Sequence, residues 1–373
     1  MSQINNSISA VKASADISRN LSLSKSKSSK VNENSFAYIF KCILIISAFP
    51  ILVIFKYETA SAAATESLRL CVGTVIPSLF PFLVVSALIT SSGAGNVIGK
   101  LISVPFEKLF GIDKNCAVLF LIGNLSGYPA GAAAAANLVT SGQTDRENAS
   151  RALAFCNNTG PAFLITGIGA GILSDKSLGV IIWISLLLTS VLCGIIMKWT
   201  AAKTRTKAVQ NSEGGNKSKE KYLPDMESKI YSPGSKEKNP PVSFAVLFTK
   251  SVGTSAVNML SICAFVTFFG VITALLKSIL LTLGCKSPAV ISLITCFAEI
   301  TCGIKEASSL GAVAAPLITA AAVGWSGLSV HFQTSSVIEG SGITMKYYYT
   351  GKIIAALLCP ILTLILMKLS GKI

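Results

Sequence analysis

Charge is what this sequence has least of. Asp, Glu, Lys and Arg make up 13% of its 373 residues and 51% are hydrophobic, whereas an average soluble domain carries roughly 25% charged residues. That balance excludes an ordinary soluble globular protein. Histidine is scarcer still: His331 is the single one, and one imidazole makes no metal site by itself. The ten cysteines lie scattered, nearly all inside apolar runs and with no C-x-x-C pair. They read as small buried hydrophobes, not as a disulfide or metal framework. The chain also has no G-x-S-x-G elbow, no Walker sequence, no H-E-x-x-H and no carboxylate pair at useful spacing. Neither an enzyme nor a cofactor is expected.

What the chain does have is apolar runs near the ~20 residues that a transmembrane helix needs. They lie at 36–55, 70–90, 115–139, 152–173, 178–197, 253–283, 288–323 and 349–367. They predict an all-α polytopic membrane protein of about 7–8 transmembrane helices, with the lipid bilayer as its first partner. The net charge of +15 is concentrated elsewhere: residues 1–35 carry five basic side chains against two acidic, and residues 198–240 carry ten against five. Both stretches have the polar composition of disordered tails. Their basic excess reads as a positive-inside signal that touches anionic lipid, not as a nucleic-acid surface. The N-terminal tail (1–35) and the linker (200–243) are therefore expected in the cytoplasm, with 36–55 as an uncleaved first span.

An even number of crossings must separate two cytoplasmic segments, yet five apolar runs lie between these two. Loops 56–69 and 140–151 are balanced in charge and 91–114 is slightly basic, which places the first two outside and the third inside. The run left to turn back is 152–173, where "FCNNTGPAFL" (155–164) interrupts an apolar stretch. Proline removes a backbone donor and pushes the residue before it out of helical geometry. A re-entrant hairpin with its tip at "NNTGP" is therefore predicted. Non-helical backbone at membrane depth persists only where it is buried in protein or lines a water-filled cavity.

After the linker the chain starts again. "VGTVIPSLFPFLVVSALI" (72–89), "FLIGNLSGYPAGA" (120–132) and "FCNNTGPAF" (155–163) are echoed in order by "VGTSAVNMLSICAFVTFFGVI" (252–272), "SLITCFAEITCGI" (292–304) and "GWSGLSVHFQTSS" (324–336). Repeat 1 spans 65–199 and repeat 2 spans 244–373. One begins outside and the other inside, so they are expected to be inverted repeats, each with a broken helix or re-entrant hairpin, as in many secondary transporters. Run 288–323 fits one kinked span or two, which leaves the side of the C-terminus open.

Membrane-embedded ionisable groups are functional candidates because burying them is expensive. Glu299 sits between Ala298 and Ile300 within an apolar run; it either faces a binding cavity or ends a helix near the interface. His331, with Ser326, Ser329 and Gln333 nearby, is either a hydrogen-bonded structural imidazole or, with an ordinary pKa of about 6.5, a proton-coupling group. In the first half Asn124, Ser126 and Tyr128 precede Pro129, and Asn157, Asn158 and Thr159 precede Pro161. Amides and hydroxyls suit a neutral polar solute or a dehydrated cation. The alternative is plain interhelical hydrogen bonding, worth roughly 0.6 kcal/mol per pair.

"PSLFPFLVVSALI", "GNLSGYPAGA", "FCNNTGPAFLITGIGAG" and "GLSVHFQ" resemble the YlbJ family of sporulation integral membrane proteins, in the nucleoside-recognition or Gate domain group, over about residues 65–370. The resemblance implies a multi-pass protein of the cell membrane of spore-forming bacteria. Its activity would be that of a secondary transporter or channel, moving a small polar solute, nucleoside-like or an ion, between mother cell and forespore, with Na+ or H+ as coupling ion. "NNTGP" and "GLSVHFQ" would be the tips of two opposed hairpins. The substrate-binding residues would be Asn124, Ser126, Tyr128, Asn157, Asn158, Thr159, Pro161, Glu299, Ser326, Ser329, His331 and Gln333. "FCNNTGPAF" lacks the glutamate of the nucleoside-transporter hairpin, which sets a nucleoside apart from the simplest carry-over. The alternative function is a membrane scaffold whose basic linker recruits partners for spore envelope or coat assembly. A homo-oligomer is compatible with either.

Overall fold

The computed structural model describes residues 47–210 and 243–373; the N-terminal tail, the start of the first apolar run and most of the linker lie outside them. The chain divides between Tyr57 and Glu58 into two units. In the first, residues 47–55 are helical. The second is built from helices, and no strand occurs among the described residues.

In the first half of that unit, α1 (Tyr57–Leu70) runs through one π-helical turn (Cys71–Val75) into α2 (Ile76–Ser91), followed by α3 (Ala94–Phe110). Next come α4 (Ala117–Leu125), α5 (Ala130–Thr140), α6 (Arg146–Cys156), a π-helical segment (Phe163–Ile172) and α7 (Lys176–Gln210). The second half contains α8 (Phe244–Thr282), α9 (Pro288–Ala298), α10 (Ile300–Ala307), α11 (Ala314–Trp325), α12 (Gly327–Ile338) and α13 (Met345–Leu369). Among the described residues, five segments are long and apolar enough to cross a membrane: Tyr57–Ser91, Lys176–Trp199, Phe244–Thr282, Ala314–Ile338 and Met345–Leu369.

Buried polar side chains sit within the apolar core, and the outer faces are apolar, unlike those of a soluble bundle. On α13, Ile353, Leu357, Ile361 and Ile365 form an exposed stripe at i, i+4 spacing, while Lys352, Cys359 and Thr363 are fully buried. An apolar stripe turned outward has no stable place in water but matches lipid tails. The chain is a multi-pass integral membrane protein.

Glycine contacts show which segments turn back. A Cβ placed on Gly131 would lie 3.0 Å from the Gly123 Cα, and one on Gly303 would lie 2.4 Å from the Cys296 amide nitrogen. α4 and α5 therefore fold against each other as a hairpin with its tip at 126–129, and α9 and α10 do the same with their tip at Glu299. By contrast, the 146–172 segment keeps moving along α7. Phe155 lies against Gly194, Asn158 bonds Ser190, and Leu164 lies against Gly179. It crosses in one direction, broken at 157–162. Along α13 the second half does likewise: Gly324 meets Ala355 and His331 meets Tyr348.

This corrects two expectations. "NNTGP" and "GLSVHFQ" are not hairpin tips but breaks in crossing helices, and the hairpins are made by "GNLSGYPAGA" and "SLITCFAEITCGI". Proline and glycine stop a helix; they do not decide whether the chain beyond continues or returns. Loop 140–151 accordingly lies beside 111–115, not opposite it: the Asn115 side-chain amide donates to Gln143 O at 2.7 Å and Thr144 bonds Asp113.

The two halves then share one order: long helix, hairpin, broken crossing helix, long helix, with α3 an addition to the first. Three crossings per half is an odd number, so the second half enters from the end where the first one leaves. That inverts it. The same count places the C-terminus at the end of the bundle away from Phe244, where Lys372 donates to Asp175 in the 173–175 turn at 2.6 Å.

Candidate functional site

The first hairpin is fastened to the first helix break. Tyr128 N–H donates to Asn158 O at 3.1 Å and Asn158 N–H donates to Gly123 O at 3.3 Å. These bonds satisfy backbone groups that the break frees inside the bilayer. Only glycine allows the approach, since a Cβ on Gly123 would stand 1.5 Å from Cys156 O. The Asn158 side-chain amide donates to Asn124 Oδ1, Phe155 O and Ser190 Oγ at 3.0, 2.8 and 2.7 Å. Its oxygen accepts from Lys352 Nζ at 2.9 Å, and the same ammonium donates to Asn157 O at 2.6 Å. Asn157 also donates to Thr334 Oγ1 at 3.1 Å, which ties the two breaks together.

The second hairpin carries the charge that the first one lacks. Glu299 leaves helical geometry at the tip, and its carboxylate accepts the Cys302 N–H at 2.7 Å, capping α10. The second break lies at Ser326 and Gly327, both with positive φ (77° and 72°). Trp325 Nε1 donates to Phe297 O at 3.0 Å, joining this break to its hairpin. His331 bonds Tyr348 through Nδ1 at 3.1 Å, and its ring stands edge-on to Trp325 at 4.4 Å. His331 Nε2 and Gln333 Oε1 are buried without a partner.

Both tips and both breaks meet at one cavity. It is lined by Ser126, Gly127 and Tyr128, by Thr159, Gly160 and Phe163, by Glu299, Ile300 and Thr301, and by Ser329, Val330 and Gln333, with Val75, Leu79, Ile262 and Val266 from the long helices. Its volume is about 20 Å³, space for one or two waters, so this conformation is closed around it. Above the second hairpin lies a wider vestibule of about 390 Å³ bordered by Ser67, Lys277, Thr295, Cys302 and Lys305. Its rim is held by the Lys277–Glu306 ion pair at 2.7 Å and by Lys305 with Glu66.

Of the residues singled out in the sequence, Ser126, Tyr128, Thr159, Glu299, Ser329 and Gln333 line the cavity. Asn124, Asn157 and Asn158 form the hydrogen-bonded layer behind it, while Pro161 and Ser326 shape the two breaks. His331 does not line it; its ring packs among Trp325, Tyr348 and Tyr349. Sequence reasoning missed Lys352, which is 0% exposed. The signal was present, a single cation inside the apolar run 349–367, but its partners are 194 and 195 residues away. No cluster of His, Cys, Asp and Glu suited to a metal ion occurs among the described residues.

Among curated proteins the chain is similar to the sporulation integral membrane protein YlbJ of Bacillus subtilis (strain 168), 24% identical over 349 residues that cover 87% of this chain and 83% of that protein. The similarity extends over most of both chains. No family model and no solved structure matches it.

Proposed function

We propose that this protein belongs to the YlbJ family and is a secondary transporter or channel for a small polar solute or ion, acting between mother cell and forespore during sporulation. The observation that carries the reading is the convergence of two hairpin tips and two helix breaks on one buried polar cavity. Broken helices that present backbone and uncharged polar groups near the bilayer midplane are the usual way transporters build a solute site. Glu299, the one charged side chain lining the cavity, attracts a cation, a proton or a donor-rich solute. On the positive-inside reading, the first hairpin and the linker face the cytoplasm, and the vestibule, the second hairpin and the C-terminus face the other side. Each face then has one hairpin that closes it.

Uptake into proteoliposomes tests this, with candidate solutes drawn from metabolites that differ between sporulating cells with and without the protein. Glu299→Gln and Gln333→Leu are expected to abolish uptake while the protein still folds. Absence of uptake of every such metabolite, together with loss of sporulation on deleting 211–238 from an otherwise folded protein, would replace transport with the scaffold reading.

A further inference from the structure

Lys352 is a costly group inside a membrane protein. It is fully buried two turns into α13, and among the described residues no carboxylate lies within ion-pair distance of it. Its surroundings are dipoles instead. The ammonium sits at the C-terminal end of half-helix α6, where the carbonyl end of the helix dipole points, and it is held by Asn157 O at 2.6 Å and Asn158 Oδ1 at 2.9 Å. The Tyr348 ring face lies 5.5 Å away, within cation–π range. Asn157 Oδ1 is buried in the same residue with no donor.

Carbonyl and amide oxygens gathered at a half-helix C-terminus are the ligand set by which broken transmembrane helices hold a free alkali cation. Here a lysine from the other half of the molecule reaches into that ligand set. We propose that Lys352 is a tethered cation: its ammonium fills a monovalent-cation seat at the first helix break, so the wild-type protein binds no free Na+ there. Shortening the side chain leaves Asn157 O and Asn158 Oδ1 around a vacated space for water and a small cation. The inference rests on the geometry of this seat and is read by binding, without any transport assay, so it stands or falls apart from the transport reading.

Thermal unfolding of the full-length protein in detergent, at equal ionic strength in sodium, potassium or choline chloride, tests it. Wild type is expected to gain less from NaCl over choline chloride than Lys352→Ala does. Lys352→Ala is expected to unfold at a lower temperature in choline and to regain stability saturably with NaCl. Lys352→Met, which fills the space without charge, is expected to lose stability and not to regain it. A wild-type Tm that rises with NaCl as much as that of Lys352→Ala would overturn the proposal, as would a folded Lys352→Ala protein that responds to NaCl no more than to choline. If Lys352→Ala is recovered only when extracted in NaCl, the seat is supported; failure to recover it in any salt counts against the seat.

Discussion

The two helix breaks occupy equivalent places in the inverted halves, yet their polar groups are treated in opposite ways. At the first, Asn158 satisfies every group it has: three acceptors for its amide, Lys352 for its oxygen, and the first hairpin for its backbone. At the second, Gln333 Oε1 is buried without a partner and its residue lines the cavity, whereas the unpaired atom of the first break, Asn157 Oδ1, belongs to a residue that does not line it. A fully paired side chain is costly to disturb, so the contrast lies between Asn158, held on every side, and Gln333, unpaired beside the cavity.

The largest expected effect falls where the halves are alike. Gly123→Ala and Gly303→Ala should each prevent recovery of folded protein, because the new Cβ would stand 1.5 Å from Cys156 O or 2.4 Å from the Cys296 nitrogen; size-exclusion profiles after extraction check this. Survival of one but not the other would break the equivalence of the hairpins. Next comes Asn158→Ala, which removes one of the two oxygens that hold the Lys352 ammonium and leaves it only Asn157 O, and which should cost about 1.5–3 kcal/mol, the worth of a hydrogen bond to a charged group. Thermal unfolding against wild type measures it. Gln333→Leu should alter stability by less than about 1 kcal/mol, since it removes an oxygen that has no partner to strand, while abolishing uptake. A Gln333→Leu protein as unstable as Asn158→Ala would erase the contrast between the breaks.

The smallest effect lies at the surface. Hydrogen bonds from Lys372 and Ser177 bring the Asp175 carboxyl down from 3.8 to about 2. A depressed carboxyl pKa stabilises the folded state above the unfolded value and loses that contribution as pH falls through the folded one. Asp175→Asn should therefore cost less than about 1 kcal/mol near neutrality. The difference from wild type should fade between about pH 4 and pH 2, as followed by unfolding at stepped pH.

The membrane class, the two halves and all four segments around the cavity were legible in the sequence, because apolar runs and their Gly, Pro and Asn interruptions are local signals. The direction of the chain after each interruption was not. It is decided by close approaches such as Gly123 to Gly131 and Gly303 to Cys296, which become visible only once helices pack. Charge balance misassigned loop 140–151 for the same reason, since the count of crossings before it took 115–139 for a full span. Lys352 stood in plain view, but nothing near it in sequence marks Asn157 and Asn158 as its partners.

The most direct test is the path of residues 141–174. In a chain whose ten native cysteines are replaced, single cysteines at Ser141 and at Ser174 are labelled with a membrane-impermeant thiol reagent in inside-out and right-side-out vesicles. A helix that crosses, broken at "NNTGP", predicts that the two positions label from opposite faces, with Asn115→Cys on the face of Ser141. Labelling of Ser141 and Ser174 from the same face would make 146–172 a re-entrant hairpin and contradict the inverted arrangement on which the cavity depends.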